Sequence, residues 1–542
     1  MSDTSNSNKS TNLSSWVCKG TFAKKHEKLE NWGDNCMHPD CSNTRKSSAS
    51  VSRKPREIKK SLLPLLALAI ACFGFGGYKL WKRNQPNSPD ILESELDGTS
   101  QTQSSSENST PSETSQPGRS IPAFKPEWVS EGDRVLFGGT GNKSRDDGIE
   151  AFRNGNYTDA IEYFERAVFS SKNDPEVQIY LNNAKAAKQG SPLKIAAVVP
   201  INEREASAKE MLRGIADAQT EFNDAEGVRG RLVQIIIAND YNNPNIARGI
   251  AKELASNSEV LGVIGHNSSD VSKAALAEYE KANLVMISPT STATHLKSDY
   301  FFRTVPSDTA SGQKLAGYAR KTGVEKVAIF YDSNSDYSKS LREAFESSFK
   351  QLGGSVLRAI DLSSQSFDPQ QEIKKFENQQ VEAIALFPST KTTSTAIGIA
   401  RANTELLGQK LTMLGGDALY SSDTLNNGGT AVNGLIIAIP WFAQSQPYAK
   451  KAYQRWVGTV NWRTAASFDA TKALLKTLSI DTDRVSVAQN LQSINLRANE
   501  TSGEPLSFAN GESKVDPVLV QIDSGAFGQS GKFENGFKLI QP

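Results

Sequence analysis

Hydroxyl-rich turns follow two of the apolar segments that the sequence predicts as strands. Residues 266–269 (HNSS) come after the segment VLGVIG, and residues 289–292 (PTST) come after LVMIS. The first turn opens an amphipathic pattern, so it marks the start of a helix. Free backbone N–H groups at a helix N-terminus and serine hydroxyls bind anions, which predicts a carboxylate site. The simpler interpretation is that Ser269 or Asp270 only caps the helix.

The sequence lacks the motifs of common enzyme classes. It contains neither the GxxxxGK[ST] phosphate loop nor a GxSxG nucleophile turn. His266 and His295 lie near the predicted carboxylate site, but no acidic or cysteine ligands join them at metal-binding spacing. Since no nucleophile is paired with a base, we expect a binding protein and not an enzyme.

Three of the four cysteines lie in the first 60 residues, a tail rich in Ser, Asn and Lys that we interpret as mostly disordered. Cys18, Cys36 and Cys41 with His38 (or His26) would make a Cys₃His zinc site. The spacing is not that of a standard zinc knuckle, and free thiols in an unstructured tail are the alternative. No other cofactor is expected.

Residues 61–83 predict a membrane-spanning helix. Lys79 is the only charged residue between Leu62 and Trp81, and about 20 apolar residues span a bilayer. Seven Lys and Arg residues lie at 45–60, against three at 79–83, so the N-terminus is predicted to be cytoplasmic and the remainder outside. A cleaved signal peptide and processing or lipidation at Cys72 are the alternatives.

Two different regions follow the predicted membrane span. Residues 84–130 are rich in Ser, Thr, Pro, Gln and Glu and predict a flexible linker. Residues 131–190 show apolar residues at helical spacing around an Asn-Gly-Asn turn, which predicts two antiparallel helices and a third from Pro175. Ala160, Phe164 and Ala167 are typical of a tetratricopeptide-like unit, which serves either to dock a protein or to cap its neighbour.

From residue 191 to 542 apolar segments alternate with amphipathic helices. KIAAVVPI, LVQIIIAND, EVLGVIGH and LVMIS form one set of predicted strands; KVAIFYD, SVLRAIDL, VEAIALFPS and LTMLGGD form a second. Such alternation is typical of parallel sheets covered by helices on both faces. We therefore predict an α/β fold with two open sheets and a ligand cleft beyond the carboxyl ends of their strands.

Several of these segments carry a family resemblance. KIAAVVPI, IIANDYNNP, VLGVIGHNSSDVSKAALAEYEKANLVMISPTSTATHL, FRTVPSDTASGQKLAGYA and MLGGDALYSS resemble, in order and spacing, the type 1 periplasmic binding proteins. The similarity is to their leucine/isoleucine/valine-binding branch and covers roughly residues 192–542. It implies a hinge of three crossovers, with lobe 1 at about 192–308 and 440–515 and lobe 2 at about 309–439 and 516–542.

The resemblance also implies the residues of a ligand site. It assigns the ligand carboxylate to hydroxyl groups of Ser268, Ser269, Ser291 and Thr292. It places Tyr337 of lobe 2 against the ligand and pairs Asp417 with the ligand ammonium. The alternatives are a hinge-sealing role for Tyr337 and a turn role for Asp417, which follows two glycines.

The implied function is capture of an amino acid or amide. A net charge of +1 gives no general electrostatic attraction to nucleic acid. The resemblance implies an extracytoplasmic receptor that delivers its ligand to an ABC permease. The predicted membrane span would anchor it, which departs from the free or lipid-anchored proteins of that family. The long tail and linker favour a second hypothesis, a sensor that reports ligand binding to a signalling partner. A scaffold that has lost its ligand is a third.

Overall fold

The computed structural model describes residues 16–18, 29–31, 122–139, 141–443, 446–458, 460–523 and 536–540. The chain divides into two compact units, Met1–Ser112 and Glu113–Pro542. In the first unit, strands β1 (Trp16–Cys18) and β2 (Leu29–Asn31) pair antiparallel.

Several predicted features fall outside the described residues. Cys36, His38 and Cys41 are not described, and of Cys18 only its place at the end of β1 is known, so the zinc site stays a prediction. Residues 61–83 are also outside. Among the residues that the structure does describe, no helix is both long and apolar enough to cross a bilayer.

Lobe 1 is built on a nine-stranded sheet with the order β14-β15-β16-β8-β7-β6-β4-β5-β3. The five central strands are parallel, and the short strand β3 pairs antiparallel with β5 at one edge. The strands are β3 (Val129–Ser130), β4 (Leu193–Val199), β5 (Val233–Asn239), β6 (Val260–Ile264), β7 (Met286–Ser288), β8 (Phe301–Arg303), β14 (Asn495–Leu496), β15 (Leu506–Ala509) and β16 (Glu512–Ser513).

Lobe 2 is built on a seven-stranded sheet with the order β10-β9-β11-β12-β13-β17-β18. Its first five strands are parallel, whereas β17 and β18 add antiparallel at the far edge. The strands are β9 (Lys326–Tyr331), β10 (Ser355–Asp361), β11 (Ala383–Phe387), β12 (Thr412–Gly415), β13 (Ile436–Ile439), β17 (Val518–Asp523) and β18 (Gly536–Ile540).

Amphipathic helices cover the faces of both sheets because the central strands are buried along nearly their whole length. The helices of the second unit are α1 (Lys143–Arg153), α2 (Tyr157–Ser170), α3 (Pro175–Gln189), α4 (Glu205–Asp224), α5 (Pro244–Ser256), α6 (Ser269–Lys281), α7 (Asp308–Lys321), α8 (Asp336–Gln351), α9 (Pro369–Lys374), α10 (Thr393–Leu407), α11 (Ser422–Gly428), α12 (Pro447–Trp456), α13 (Trp462–Leu478) and α14 (Arg484–Gln492). Short 3₁₀ turns lie at Pro126–Trp128, Lys375–Asn378, Asp417–Leu419, Gly429–Val432 and Ala498–Glu500.

The chain passes between the two sheets three times. It leaves lobe 1 after β8, returns after β13 to form α12 to α14, and leaves again after β16 to form β17. Helix α13 packs on α4 and on strands β6 and β7, so it belongs to lobe 1. Each lobe is therefore assembled from segments that are distant in the sequence.

The helical unit α1–α3 is joined to lobe 1 by a shared hydrophobic core. Phe164 and Tyr180 are fully buried in the same cluster as residues of β4 and α4. Asn183 of α3 donates from Nδ2 to the carbonyl oxygen of Ile235 at 2.7 Å, and its Oδ1 accepts from the backbone N–H of Ile235 at 2.8 Å. One amide side chain thus bonds both backbone groups of a residue in β5, and the helices pack on lobe 1 as an integral layer.

Glu176 gives this helical unit a pH-dependent stability. Its carboxylate is fully buried and accepts from the backbone N–H of Leu136 and the hydroxyl of Tyr180. Burial raises the pKa of Glu176 to about 7. The folded state therefore keeps this proton where the unfolded chain has lost it, and stability falls as pH rises from about 4.5 to above 7.

Replacing Glu176 by Gln should flatten this dependence. The amide has no proton to lose as the pH rises. Between pH 5 and pH 8 the free energy of unfolding should therefore fall less in the variant than in the parent, by up to about 3 kcal/mol. Urea unfolding at the two pH values measures the difference. Glu165→Gln, at an exposed residue in an ion pair with Lys185, is the control and should follow the parent. Equal pH dependence in Glu176→Gln and the parent would contradict the assignment.

Candidate functional site

A polar cavity of about 230 Å³ lies between the two lobes, beyond the carboxyl ends of their parallel strands. Both lobes contribute charged and hydroxyl side chains to its wall. The lining residues are Asn242, Pro244, Asn267, Ser268, Ser269, Asp270, Val271 and Thr290, with Trp462 and Arg463, from lobe 1, and Asp332, Asn334, Ser335, Tyr337, Ser389, Thr390, Lys391, Asp417 and Ala418 from lobe 2.

The N-terminus of helix α6 forms one wall of the cavity. Ser268 occupies the capping position, but its side chain does not cap the helix. Its hydroxyl instead donates to Oδ1 of Asn242 at 2.8 Å. The positive end of the helix therefore faces the cavity beside serine hydroxyls, an arrangement that favours a carboxylate.

The two hydroxyl turns differ in their access to the cavity. Ser268, Ser269 and Thr290 line it. Ser291 and Thr292, by contrast, are buried behind the wall and are not among the lining residues. The Ser291 hydroxyl shares a 2.7 Å hydrogen bond with that of Ser272. Thr290 therefore occupies the position in the second turn that reaches the ligand space.

Tyr337 and Asp417 meet on the lobe 2 side. The Tyr337 hydroxyl donates to Oδ1 of Asp417 at 2.6 Å. Gly416 permits this approach, since a Cβ there would lie 2.4 Å from the tyrosine oxygen. Burial raises the pKa of Asp417 above its ordinary value, although the bond from Tyr337 opposes that rise. An ammonium group placed beside this carboxylate would stabilise its charged form.

Asp332 and Ser389 form a second polar cluster in lobe 2. They follow β9 and β11, and the Ser389 hydroxyl donates to Oδ2 of Asp332 at 2.5 Å. The backbone N–H of Asn334 donates to the other oxygen at 2.9 Å. Both Asp332 oxygens thus accept hydrogen bonds from groups of lobe 2.

Asp332, Trp462 and Arg463 also line the cavity, and none of them was predicted from the sequence. Asp332 could have been found, because it ends a predicted strand and the carboxyl ends of parallel strands meet at one edge. Trp462 and Arg463 open α13, which the chain adds to lobe 1 only after passing through lobe 2. Local sequence carries no signal for that return.

His266 is held by hydrogen bonds within lobe 1. Its Nδ1 lies 2.7 Å from Oδ2 of Asp240, and its Nε2 lies 3.1 Å from the hydroxyl of Tyr279, with all three groups buried. Both ring nitrogens are therefore occupied. Within the described part of the chain, no group of three or more His, Cys, Asp or Glu side chains is arranged to hold a metal.

Direct bonds across the cleft hold the lobes together beside the cavity. Asp336 of lobe 2 pairs with Lys273 of lobe 1 at 2.9 Å and with His295 at 3.3 Å. Its backbone N–H donates to Oδ1 of Asp270 at 2.8 Å. Burial alone would raise the pKa of Asp336, but Lys273 and Lys339 hold it below its ordinary value. We call Asp270, Lys273, His295 and Asp336 the interlobe latch.

Replacing Asp336 by Asn should weaken ligand binding by about two- to fivefold. The variant loses the ion pair with Lys273, of a kind worth about 0.2–1 kcal/mol at partly exposed sites, and weakens the contact with His295. Both contacts join the two lobes. Small-angle scattering should show a larger radius of gyration without ligand, and calorimetry should show the lower affinity. Lys339→Gln is the control, because Lys339 pairs with Asp336 within α8 and that pair does not cross the cleft. It should change neither the radius of gyration nor the affinity. An unchanged affinity for Asp336→Asn would show that the latch does not control closure.

Two α/β lobes joined by three crossings around a polar cavity define a two-lobed ligand-binding protein. Residues 192–525 match the family described as "Periplasmic binding protein", and the chain belongs to that family. Its members are solute-binding proteins, so the chain is a binding protein and not an enzyme.

Three relatives illustrate the similarity. The leucine-specific-binding protein of Salmonella typhimurium is 23% identical over 265 residues, which cover 47% of this chain and 70% of the relative. A leucine binding protein from Thermotoga maritima superimposes with a TM-score of 0.56 at 22% identity, covering 65% of this chain and 99% of that one. A branched-chain amino acid transporter substrate binding protein from Streptococcus pneumoniae, in complex with isoleucine, gives a TM-score of 0.56 at 19% identity, covering 65% and 100%. The predicted two-sheet fold is confirmed.

Proposed function

We propose that the chain captures an α-amino acid, or a closely related small molecule, between its two lobes and delivers it to an ABC importer. The observation that carries the proposal is the charge arrangement of the cavity. The N-terminus of α6 and its serines lie on one side, and the carboxylate of Asp417 lies on the other. A zwitterion satisfies both at once, whereas a sugar or a phosphate leaves Asp417 unpaired or repelling.

The roles of individual residues follow from this arrangement. Ser268, Ser269 and Thr290 bind the carboxylate together with backbone N–H groups of α6, and Asp417 binds the ammonium with Tyr337 holding it in place. Ser291 and Thr292 support the turn from behind. The leucine- and isoleucine-binding relatives bind amino acids according to their names, which supports the same ligand class here.

A thermal-shift screen of the full chain with the common amino acids, their amides, sugars and phosphate tests the proposal. A true ligand at 100 times its Kd should stabilise the protein by about 2.7 kcal/mol. Stabilisation by a sugar or phosphate, with none by any amino acid, would overturn the assignment.

The proposal includes an extracytoplasmic location, with residues 61–83 as the membrane anchor and residues 1–60 in the cytoplasm. It is supported by the apolar run and by the excess of basic residues before it. A reporter fused after Pro542 should be active only in the outer compartment. Cytoplasmic activity would exclude a role in capturing external solutes.

A ligand sensor is the second candidate, and the helical unit α1–α3 favours it. A plain carrier does not need an additional helical layer packed on lobe 1. Uptake of labelled ligand distinguishes the two functions, because loss of the protein abolishes uptake only if it serves a permease. A sensor would leave uptake unchanged.

A further inference from the structure

The guanidinium of Arg463 lines the cavity without an ion-pair partner among the described residues. Its side chain is 8% exposed and lines the cavity at the N-terminal end of α13. The guanidinium carbon lies 4.2 Å from the ring centroid of Trp462, so the group is held over an aromatic face. Its Nε has no hydrogen-bond partner, and no ion pair includes Arg463, within the residues that the structure describes. A buried guanidinium without an anion is unfavourable, so its retention here points to an anionic ligand group.

The neighbouring carboxylates do not fill this role. Asp417 and Glu210 lie close enough to feel the charge of Arg463, but neither forms an ion pair with it in the described structure. Asp270 accepts from the backbone N–H of Asp336 and the hydroxyl of Ser335 across the cleft. The acidic groups near Arg463 are thus either at a distance or already bonded.

The carboxylates of lobe 2 that line the cavity are bonded within that lobe. Asp332 is bonded on both oxygens by groups of lobe 2. At Asp417, the hydroxyl of Tyr337 bonds Oδ1.

We infer that Arg463 binds an anionic group on the side chain of the ligand, so that the cleft selects an acidic α-amino acid over neutral ones. The inference rests on the proposed function, because it takes the α-carboxylate and ammonium as already bound by α6 and Asp417. A guanidinium bonds a carboxylate through two parallel N–H groups, and stacking on Trp462 fixes its plane. The ligand would then carry two carboxylates and one ammonium, matched to two anion sites and one cation site.

Calorimetry of the full chain with L-glutamate, L-aspartate, L-glutamine, L-asparagine and L-leucine tests this. Glutamate or aspartate should bind at least about tenfold more tightly than its own amide. Arg463→Gln should remove that preference while leaving the affinity for the amide within about threefold. Arg463→Lys keeps the charge without the two-pronged geometry and should retain part of the preference.

Arg213→Gln is the matched control. Arg213 is a similarly buried arginine of lobe 1 that lies outside the cavity and donates to Oδ1 of Asn173 at 2.9 Å. It should leave the preference for the acidic ligand unchanged. Without ligand, Arg463→Gln should melt at the same temperature as the parent or higher, because it removes an unpaired buried charge.

The outcomes separate the two proposals. If the parent binds glutamine or leucine as tightly as glutamate and aspartate, or if Arg463→Gln keeps the preference, the inference is overturned and the proposed function stands. A lower melting temperature for Arg463→Gln without ligand would make the guanidinium structural and would also overturn it. If no α-amino acid binds, the proposed function itself fails.

Discussion

Replacing Asp417 by Ala should weaken amino-acid binding by about 2–5 kcal/mol, or about 30- to 4,000-fold. The variant leaves the ligand ammonium buried without a counter-charge, while Tyr337 loses only one hydrogen bond. Asp417→Asn should lose nearly as much, because the amide has the same shape but no charge. Since burial raises the pKa of Asp417, affinity in the parent should also fall as the pH is lowered and the carboxylate takes up a proton.

Isothermal calorimetry on the parent and both variants measures these losses, and circular dichroism checks that they fold. Asp423→Ala, at an exposed carboxylate six residues further along, is the control and should bind normally. Parent-like affinity in Asp417→Ala would mean that no ammonium lies beside this residue. A neutral amide bound by hydrogen bonds would then be the better ligand class.

The largest expected loss of stability comes from Gly214→Ala. Gly214 lies in α4 where that helix crosses α13, and a Cβ there would lie 2.1 Å from the carbonyl oxygen of Thr464 and 2.6 Å from the backbone nitrogen of Phe468. Backbone atoms cannot rotate away, so the two helices must separate. Such overpacking costs about 1–3 kcal/mol and occasionally more, and we expect the upper end here.

Gly317→Ala is the matched control, because Gly317 is also in a helix but a Cβ there would meet nothing within 4 Å. It should be neutral or stabilise the protein by up to about 1 kcal/mol, through the higher helix propensity of alanine. Urea unfolding of the two variants and the parent measures both effects. Equal stabilities for the two variants would show that α4 and α13 do not make this close contact.

Most of the parallel strands could be predicted because they are apolar runs between helical patterns, although the parallel strands β8 (Phe301–Arg303) and β13 (Ile436–Ile439) were not predicted. All eight predicted strands are present, among them β4 at Leu193–Val199 and β11 at Ala383–Phe387. The antiparallel edge strands were not predicted. β3 has two residues and β16 has two, and segments this short have no periodicity that distinguishes them from loops.

Cavity-lining residues could be predicted where they follow strands of the parallel sheets, as Ser268 and Asp417 do. The predicted set of lining residues was incomplete where burial within a turn decides which side chain reaches the cavity. Thr290 and Ser291 are adjacent hydroxyl residues, yet only Thr290 lines the cavity. The place of Arg463 in the cavity depends on helix α13, which returns to lobe 1 from a distant part of the sequence. Only the assembled fold shows that return.

The bond pattern of Asn183 has a mechanical consequence. Because α3 and β5 share backbone-directed hydrogen bonds and a common core, the helical unit and lobe 1 move as one body in any motion between the lobes. Strand β3 also pairs with β5, so the chain joins lobe 1 before the helical unit begins. Under the proposed anchor at residues 61–83, lobe 1 would be the held lobe and lobe 2 the moving one. A partner protein that binds only the helical unit would therefore not sense closure of the lobes. A partner that binds both the helical unit and lobe 2 would sense closure as a change in the distance between two rigid surfaces.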